Sequence, residues 1–170
     1  MASPTPHAQM PQITALPDIL PNPEGGAPGL TLAAISGKTL INLRASDKIK
    51  TRLDTLFGTA LPTQPNRLSA IGASRAMWLG PDETLLMIDE ARQAEFMLKL
   101  GATLKDTHYA ATIVTDAIRI FRLGGARRLD VLAKGCGLDL HPAIFAKGHC
   151  AQSLLSLASI TLARDADDSL

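Results

Sequence analysis

The chain predicts an α+β fold, and three observations carry the prediction. Short apolar segments at strand spacing alternate with segments whose apolar residues recur at helical spacing. The order of these segments, β-α-β-β-α, begins again after residue 106. The helix that follows each first strand carries a similar run: Arg52-Leu53-Asp54-Thr55-Leu56 is echoed by Arg128-Leu129-Asp130-Val131-Leu132. Together they predict duplicated β-α-β-β-α halves, 30–106 and 107–170, within one domain. The second half lacks its closing helix and reads as C-terminally shortened.

Element by element, Lys38 to Ala45 is a predicted strand with Ile41, Leu43 and Ala45 on one face. Ser46 or Asp47 caps the next helix, in which Ile49, Leu53, Leu56 and Phe57 form one apolar stripe. Gly58 ends it as a left-handed cap. Arg67 to Leu79 reads as one strand, 80–83 as a turn, and Thr84 to Ile88 as a strand buried on both faces. A helix from Ala91 to Leu100 is expected to turn Ala94, Met97, Leu98 and Gly101 inward. The second half starts with a single strand, Thr112 to Leu123. Gly124-Gly125 leads into a helix with Ala126, Leu129, Leu132 and Ala133 on one side. After a loop carrying Asp139, His141 and Pro142, Cys150 to Arg164 reads as a hairpin turning near Leu157 to Ser159.

Residues 1–29 stand apart. Seven of the eleven prolines fall there, which excludes helix interior and central strand. The stretch is either a disordered tail or a Pro-rich extended arm laid over a partner, with Ile13, Leu16, Ile19 and Leu20 to bury.

The chain has 170 residues, 46% hydrophobic and 19% charged, which is the composition of a folded domain. With aromatics at 4%, the core must come from Leu, Ile, Val and Ala. A formal net charge of +1 argues against a nucleic-acid binder working through phosphate neutralisation. No secretory signal and no apolar run of membrane-spanning length is visible, so no membrane partner is expected and the cytoplasm is the expected compartment. Two cysteines make no disulfide framework.

Candidate chemistry is sparse. Cys136, Asp139, His141, His149 and Cys150 form the densest reactive cluster. Zinc sites favour two close ligand pairs, whereas His149 and Cys150 are adjacent on a strand and point to opposite faces. Cys136 follows a helix C-terminus, where the dipole disfavours a thiolate. Gly72-Ala73-Ser74-Arg75-Ala76 is a near-miss to a nucleophile elbow, but its serine falls inside a predicted strand. Gly124-Gly125 opens a helix without the further glycine and lysine of a phosphate loop. The residues therefore yield no catalytic, cofactor-binding or metal set, and a binding or scaffolding role is favoured. Arg119, Arg122, Arg127, Arg128 and Lys134 make a local basic stretch suited to an acidic partner. Trp78, Arg127, Arg128, His141 and Phe145 are the expected partner contacts.

The run from Val114 through Leu132, continued by Ala133 to Pro142 with its Leu138-Asp139-Leu140-His141-Pro142, leads on to Phe145, Gly148 and Cys150-Ala151-Gln152-Ser153-Leu154-Leu155. With Trp78-Leu79-Gly80-Pro81-Asp82-Glu83 and Leu85-Leu86, it resembles the sarcosine oxidase gamma subunit family over roughly residues 30–164. That family is similar in fold to the folate-binding aminomethyltransferase of the glycine cleavage system. The resemblance implies a non-catalytic gamma subunit of a heterotetramer with alpha, beta and delta partners. The complex oxidises sarcosine to glycine and hydrogen peroxide and passes the one-carbon unit to tetrahydrofolate. FAD, FMN, NAD and the folate site are implied on the large subunits and zinc on delta, with no cofactor on this chain. The chain departs from the family where members continue past the position of Arg164. It departs again at Ser159 and Ala163, where a proline and an aromatic are common. Two rival expectations are a free-standing folate-binding or aminomethyltransferase-like protein, and a metal-dependent module built on Cys136, His141, His149 and Cys150.

Overall fold

The strand β2 (Lys38–Arg44) sits beside the middle of the molecule because it is apolar on both faces. Ile41 and Leu43 point to one side, Leu40 to the other, and all three are buried. The computed structural model describes residues 29–164. The Pro-rich stretch expected over 1–29 lies outside these residues except for Gly29, as does the polar end 165–170.

Around β2 runs a five-stranded antiparallel sheet in the order β3-β4-β5-β2-β6. Its other strands are β3 (Leu68–Ile71), β4 (Ser74–Gly80), β5 (Glu83–Asp89) and β6 (Ala110–Ile113). On one face lie α1 (Asp47–Lys50), a 3-10 turn and α2 (Asp54–Phe57), which together make one helical stretch over 47–57, and α3 (Gln93–Thr103). Leu53, Phe57, Phe96, Leu100 and Leu104 from these helices bury against Ile41, Leu43, Ala76, Leu86 and Ile88 of the sheet. Each such fully buried side chain contributes about 1.5–3 kcal/mol by leaving water. Gly58 closes α2 at φ +94, as its left-handed cap requires.

The other face of the sheet carries Leu40, Met77 and Leu85, covered by Cys150 of β8 (His149–Leu155). β8 pairs with β9 (Ala158–Arg164) as a hairpin, in agreement with the expected Cys150–Arg164 hairpin. A third cluster joins this hairpin to α4 (Arg128–Leu132) through Leu132, Leu140, Phe145, Leu155 and Leu162. A further ribbon pairs β1 (Thr31–Ile35) with β7 (Ile120–Gly124). The α+β class is the observed one.

Four local expectations are corrected. Arg67 to Leu79 is a hairpin, because Gly72 at φ +53 and Ala73 make a two-residue turn that sets Ile71 opposite Ser74. Thr112 to Leu123 is broken into β6 and β7 by a 3-10 turn at Thr115–Ala117. The break is fixed where the Leu40 N–H donates to the Thr115 hydroxyl at 3.0 Å and Val114 N–H donates to the Leu40 carbonyl at 2.9 Å. The inward face of α3 is Phe96 and Leu100 with Leu104 beyond it, whereas Leu98 is 76% exposed. Finally, β1 was not among the expected strands. It has no polar alternation and exists as a strand through its pairing with β7.

The strands also cross the boundary drawn at residue 106. β6 joins the five-stranded sheet beside β2, and β1 pairs away from it with β7. β6 of the second half therefore joins the sheet of the first, and the β1–β7 ribbon takes one strand from each half.

Candidate partner-binding surface

Functional geometry is concentrated where strands have open edges and apolar side chains meet solvent. β1 and β7 form a two-stranded ribbon that pairs with no other strand among the described residues. Opposed residues share a face, so Leu32 and Ala34 stand with Leu123 and Phe121. Leu123 packs toward the Leu132–Phe145 cluster, while Leu32 and Phe121 remain 44% and 46% exposed. The opposite face turns Ile120 onto the Leu40–Leu85 cluster. At the end of the ribbon, Gly125 adopts φ +94, and a Cβ there would stand 2.3 Å from the Gly29 carbonyl oxygen. That close approach lets Arg127 N–H donate to the same oxygen at 3.0 Å, clasping the ribbon to the start of α4.

A second projection is the tip of the β8–β9 hairpin. Leu155 pairs with Ala158, leaving a two-residue turn with Ser156 at φ +55. Ser156 N–H donates to the Gly135 carbonyl at 2.7 Å, which holds the tip against the end of the α4 region. Leu157 then stands 97% exposed, next to the exposed Leu154.

The expected contact residues fall on several elements. Arg127 is exposed and pairs loosely with Asp130 at 3.8 Å. Arg128 is half-buried and donates to the Gly125 carbonyl at 2.9 Å, so it helps shape the turn. His141 is exposed, and its N–H donates to the Asp139 carboxylate at 2.9 Å. Phe145 is buried with Leu132 and Leu140, its ring edge-on to His149 with centroids 6.0 Å apart, so it belongs to the interior. Trp78 is half-buried on β4, and its N–H donates to the Arg67 carbonyl at 3.0 Å. Arg127 and Arg128 are brought together at the base of the ribbon, whereas Trp78 is on the sheet. Sequence reading missed Leu32, Leu98, Phe121 and Leu157 as exposed apolar groups. The signal available for Leu157 was a hydrophobic residue placed inside a turn.

The reactive groups are dispersed. A cleft of about 360 Å³ is lined by Asn66, Arg67, Asp139, Phe145, His149 and Cys150 among others. Its thiol, Cys150, is wholly buried and directed at the carbonyls of Arg67 and Trp78, 3.2 and 3.5 Å away. Burial pushes this thiol up to about 11, against a smaller lowering by the Trp78 backbone, so it is no nucleophile at neutral pH. Cys136 instead lies 3.8 Å from the Ser153 hydroxyl. His149 Nδ1 is engaged by the Ala146 N–H at 3.2 Å. Among the described residues, no three His, Cys, Asp or Glu side chains gather as a metal site. No described helix is long and apolar enough to cross a membrane.

The ribbon, the hairpin tip and the open strand edges define an α+β chain with surfaces suited to contact with other protein. Comparison with known proteins makes this particular. The family model of the sarcosine oxidase gamma subunit matches residues 33–170. A chain of the heterotetrameric sarcosine oxidase from Corynebacterium sp. U-96, solved in complex with pyrrole 2-carboxylate, superposes with a TM-score of 0.75 at 25% identity. The match covers 82% of this chain and 72% of that one. No curated protein sequence matches. The chain belongs to the sarcosine oxidase gamma subunit family.

Proposed function

We propose that this chain is the non-catalytic gamma subunit of a heterotetrameric sarcosine oxidase and supports the assembly of that enzyme. The family match over residues 33–170 carries the reading. The superposition on a chain of a heterotetrameric sarcosine oxidase supports it. In this role residues 30–170 act as one α+β domain, and the alpha, beta and delta subunits are the partners. The complex demethylates sarcosine oxidatively to glycine and hands the one-carbon unit to tetrahydrofolate. FAD, FMN, NAD and the folate site reside on the large subunits, zinc resides on delta, and the complex is cytoplasmic.

The test is to tag the chain, purify it from its native cells, and record the flavin absorbance of the eluate with and without sarcosine. A large complex whose flavin bleaches on sarcosine is expected. A colourless species of the size of this chain alone would overturn the reading.

A further inference from the structure

We propose that the β1–β7 ribbon and its basic rim are the docking surface for an acidic-rimmed apolar patch on a different subunit; this rests on the reading of the chain as a subunit. The physical starting point is that a lone two-stranded ribbon is marginal in water. This one is also apolar. β1 is Thr-Leu-Ala-Ala-Ile, with its first four residues exposed, and β7 adds the exposed Phe121. Ile113, at the end of the edge strand β6, and Ile118, just before β7, are further exposed apolar groups on this stretch of chain. Among the described residues these groups and both edges of the ribbon are open, which presents a template for another chain.

Charge decides what that chain is. Residues 110–134 hold five basic side chains (Arg119, Arg122, Arg127, Arg128 and Lys134) against Asp116 and Asp130, a net of +3 in a protein whose total is +1. Arg119 immediately precedes β7, and Arg122 lies next to Phe121 on the other face of the ribbon; both are exposed and have no ion pair among the described residues. A second copy docked through the same face would oppose this patch to itself, and like charges across paired strands are destabilising. A partner with Asp and Glu around an apolar centre meets both features at once. The rim then steers encounter and fixes register, while Leu32, Ala34 and Phe121 supply the buried centre.

The experiment uses the full-length tagged chain in its native cells. A photo-crosslinking phenylalanine analogue replaces Phe121 in one strain and Leu98, on the outer face of α3, in another. Charge variants Arg119→Glu/Arg122→Glu and Arg119→Lys/Arg122→Lys are purified alongside. Expected are a crosslink from position 121 to an Asp- and Glu-rich peptide of an oxidase subunit, and recovery of oxidase subunits reduced about tenfold or more by the Glu pair but retained by the Lys pair. Three results would overturn the proposal alone, with oxidase subunits still captured by the wild type. One is a crosslink from 121 to a second copy. Another is a crosslink from 98 but not from 121. The third is recovery undiminished by the Glu pair. If the wild-type chain captures no oxidase subunit, the subunit reading falls as well.

Discussion

Replacing Gly125 by alanine separates two costs that the structure makes calculable. Gly125 has φ +94, and a Cβ there would lie 2.3 Å from the Gly29 oxygen and 3.0 Å from the Leu30 Cα. Left-handed backbone at a non-glycine residue costs roughly 1–2 kcal/mol. A carbon–oxygen contact rests near 3.3 Å or more, so the segment before β1 or the turn after β7 must back away by about 1 Å. Such overpacking costs about 1–3 kcal/mol further, and the displacement strains the hydrogen bond from the Arg127 N–H to the Gly29 carbonyl. The total is about 3 kcal/mol. Gly37 is the control, because it has φ +67 and nothing within 4 Å of its would-be Cβ. Gly37→Ala bears the conformational cost alone, about 1 kcal/mol. With a urea m value near 2 kcal/mol/M, the unfolding midpoint should fall by about 1.5 M for Gly125→Ala and about 0.5 M for Gly37→Ala. Equal shifts would refute the close approach of the ribbon to the turn before α4.

Three further substitutions test the rest of the structure. Leu86→Ala, at the fully buried centre of β5, should cost about 2–5 kcal/mol in chemical denaturation. Leu157→Ser, at a side chain almost wholly in solvent, should change stability by no more than about 0.5 kcal/mol; it should still weaken co-purification of partner subunits if the hairpin tip is an anchor. Cys150→Ala should flatten an alkaline loss of stability. The native thiol holds its proton up to about 11 against a usual 9.0, so the unfolded state binds fewer protons in between. The contribution is intact below about 9 and is lost as pH rises through about 11, of order 2–3 kcal/mol, read as the wild-type minus variant difference in urea midpoints across that window.

What was legible in the sequence was what local periodicity and turn chemistry encode. β2 is read from Ile41, Leu43 and Ala45 alternating on one face, and β5 from a run apolar on both faces, which a central strand requires. Gly58 marks a helix end through its own backbone freedom. The hairpin at 150–164 follows from two apolar runs around a short turn. What escaped depends on partners distant in sequence. β1 lacks alternation, and its strand state is fixed by residues 120–124. The break between β6 and β7 depends on Leu40, whose backbone holds Val114 and Thr115 in place. The phase of α3 is only partly legible: Met97 does pack against the core, but Ala94 and Leu98 face solvent, and the sheet selects Phe96 and Leu100. At the surface, the local basic stretch pointed to Arg127 and Arg128, while Phe145, also an expected contact, is buried with Leu132 and Leu140.

The misread strand 112–123 is also the segment that makes the surface. Had it run unbroken beside β2, Phe121 and Leu123 would have extended the edge of the main sheet. Instead the chain leaves that sheet after Ile113, turns at Thr115–Ala117, and begins a second ribbon with β1. The same turn thus ends one strand and leads to another, and Ile113, Ile118 and Phe121 around it are each partly exposed. A chain folding only for its own core would gain by burying the part of these side chains still in solvent, about 1 kcal/mol each. Their exposure, beside Arg119 and Arg122 with no ion pair among the described residues, is the feature that the proposed docking surface would use.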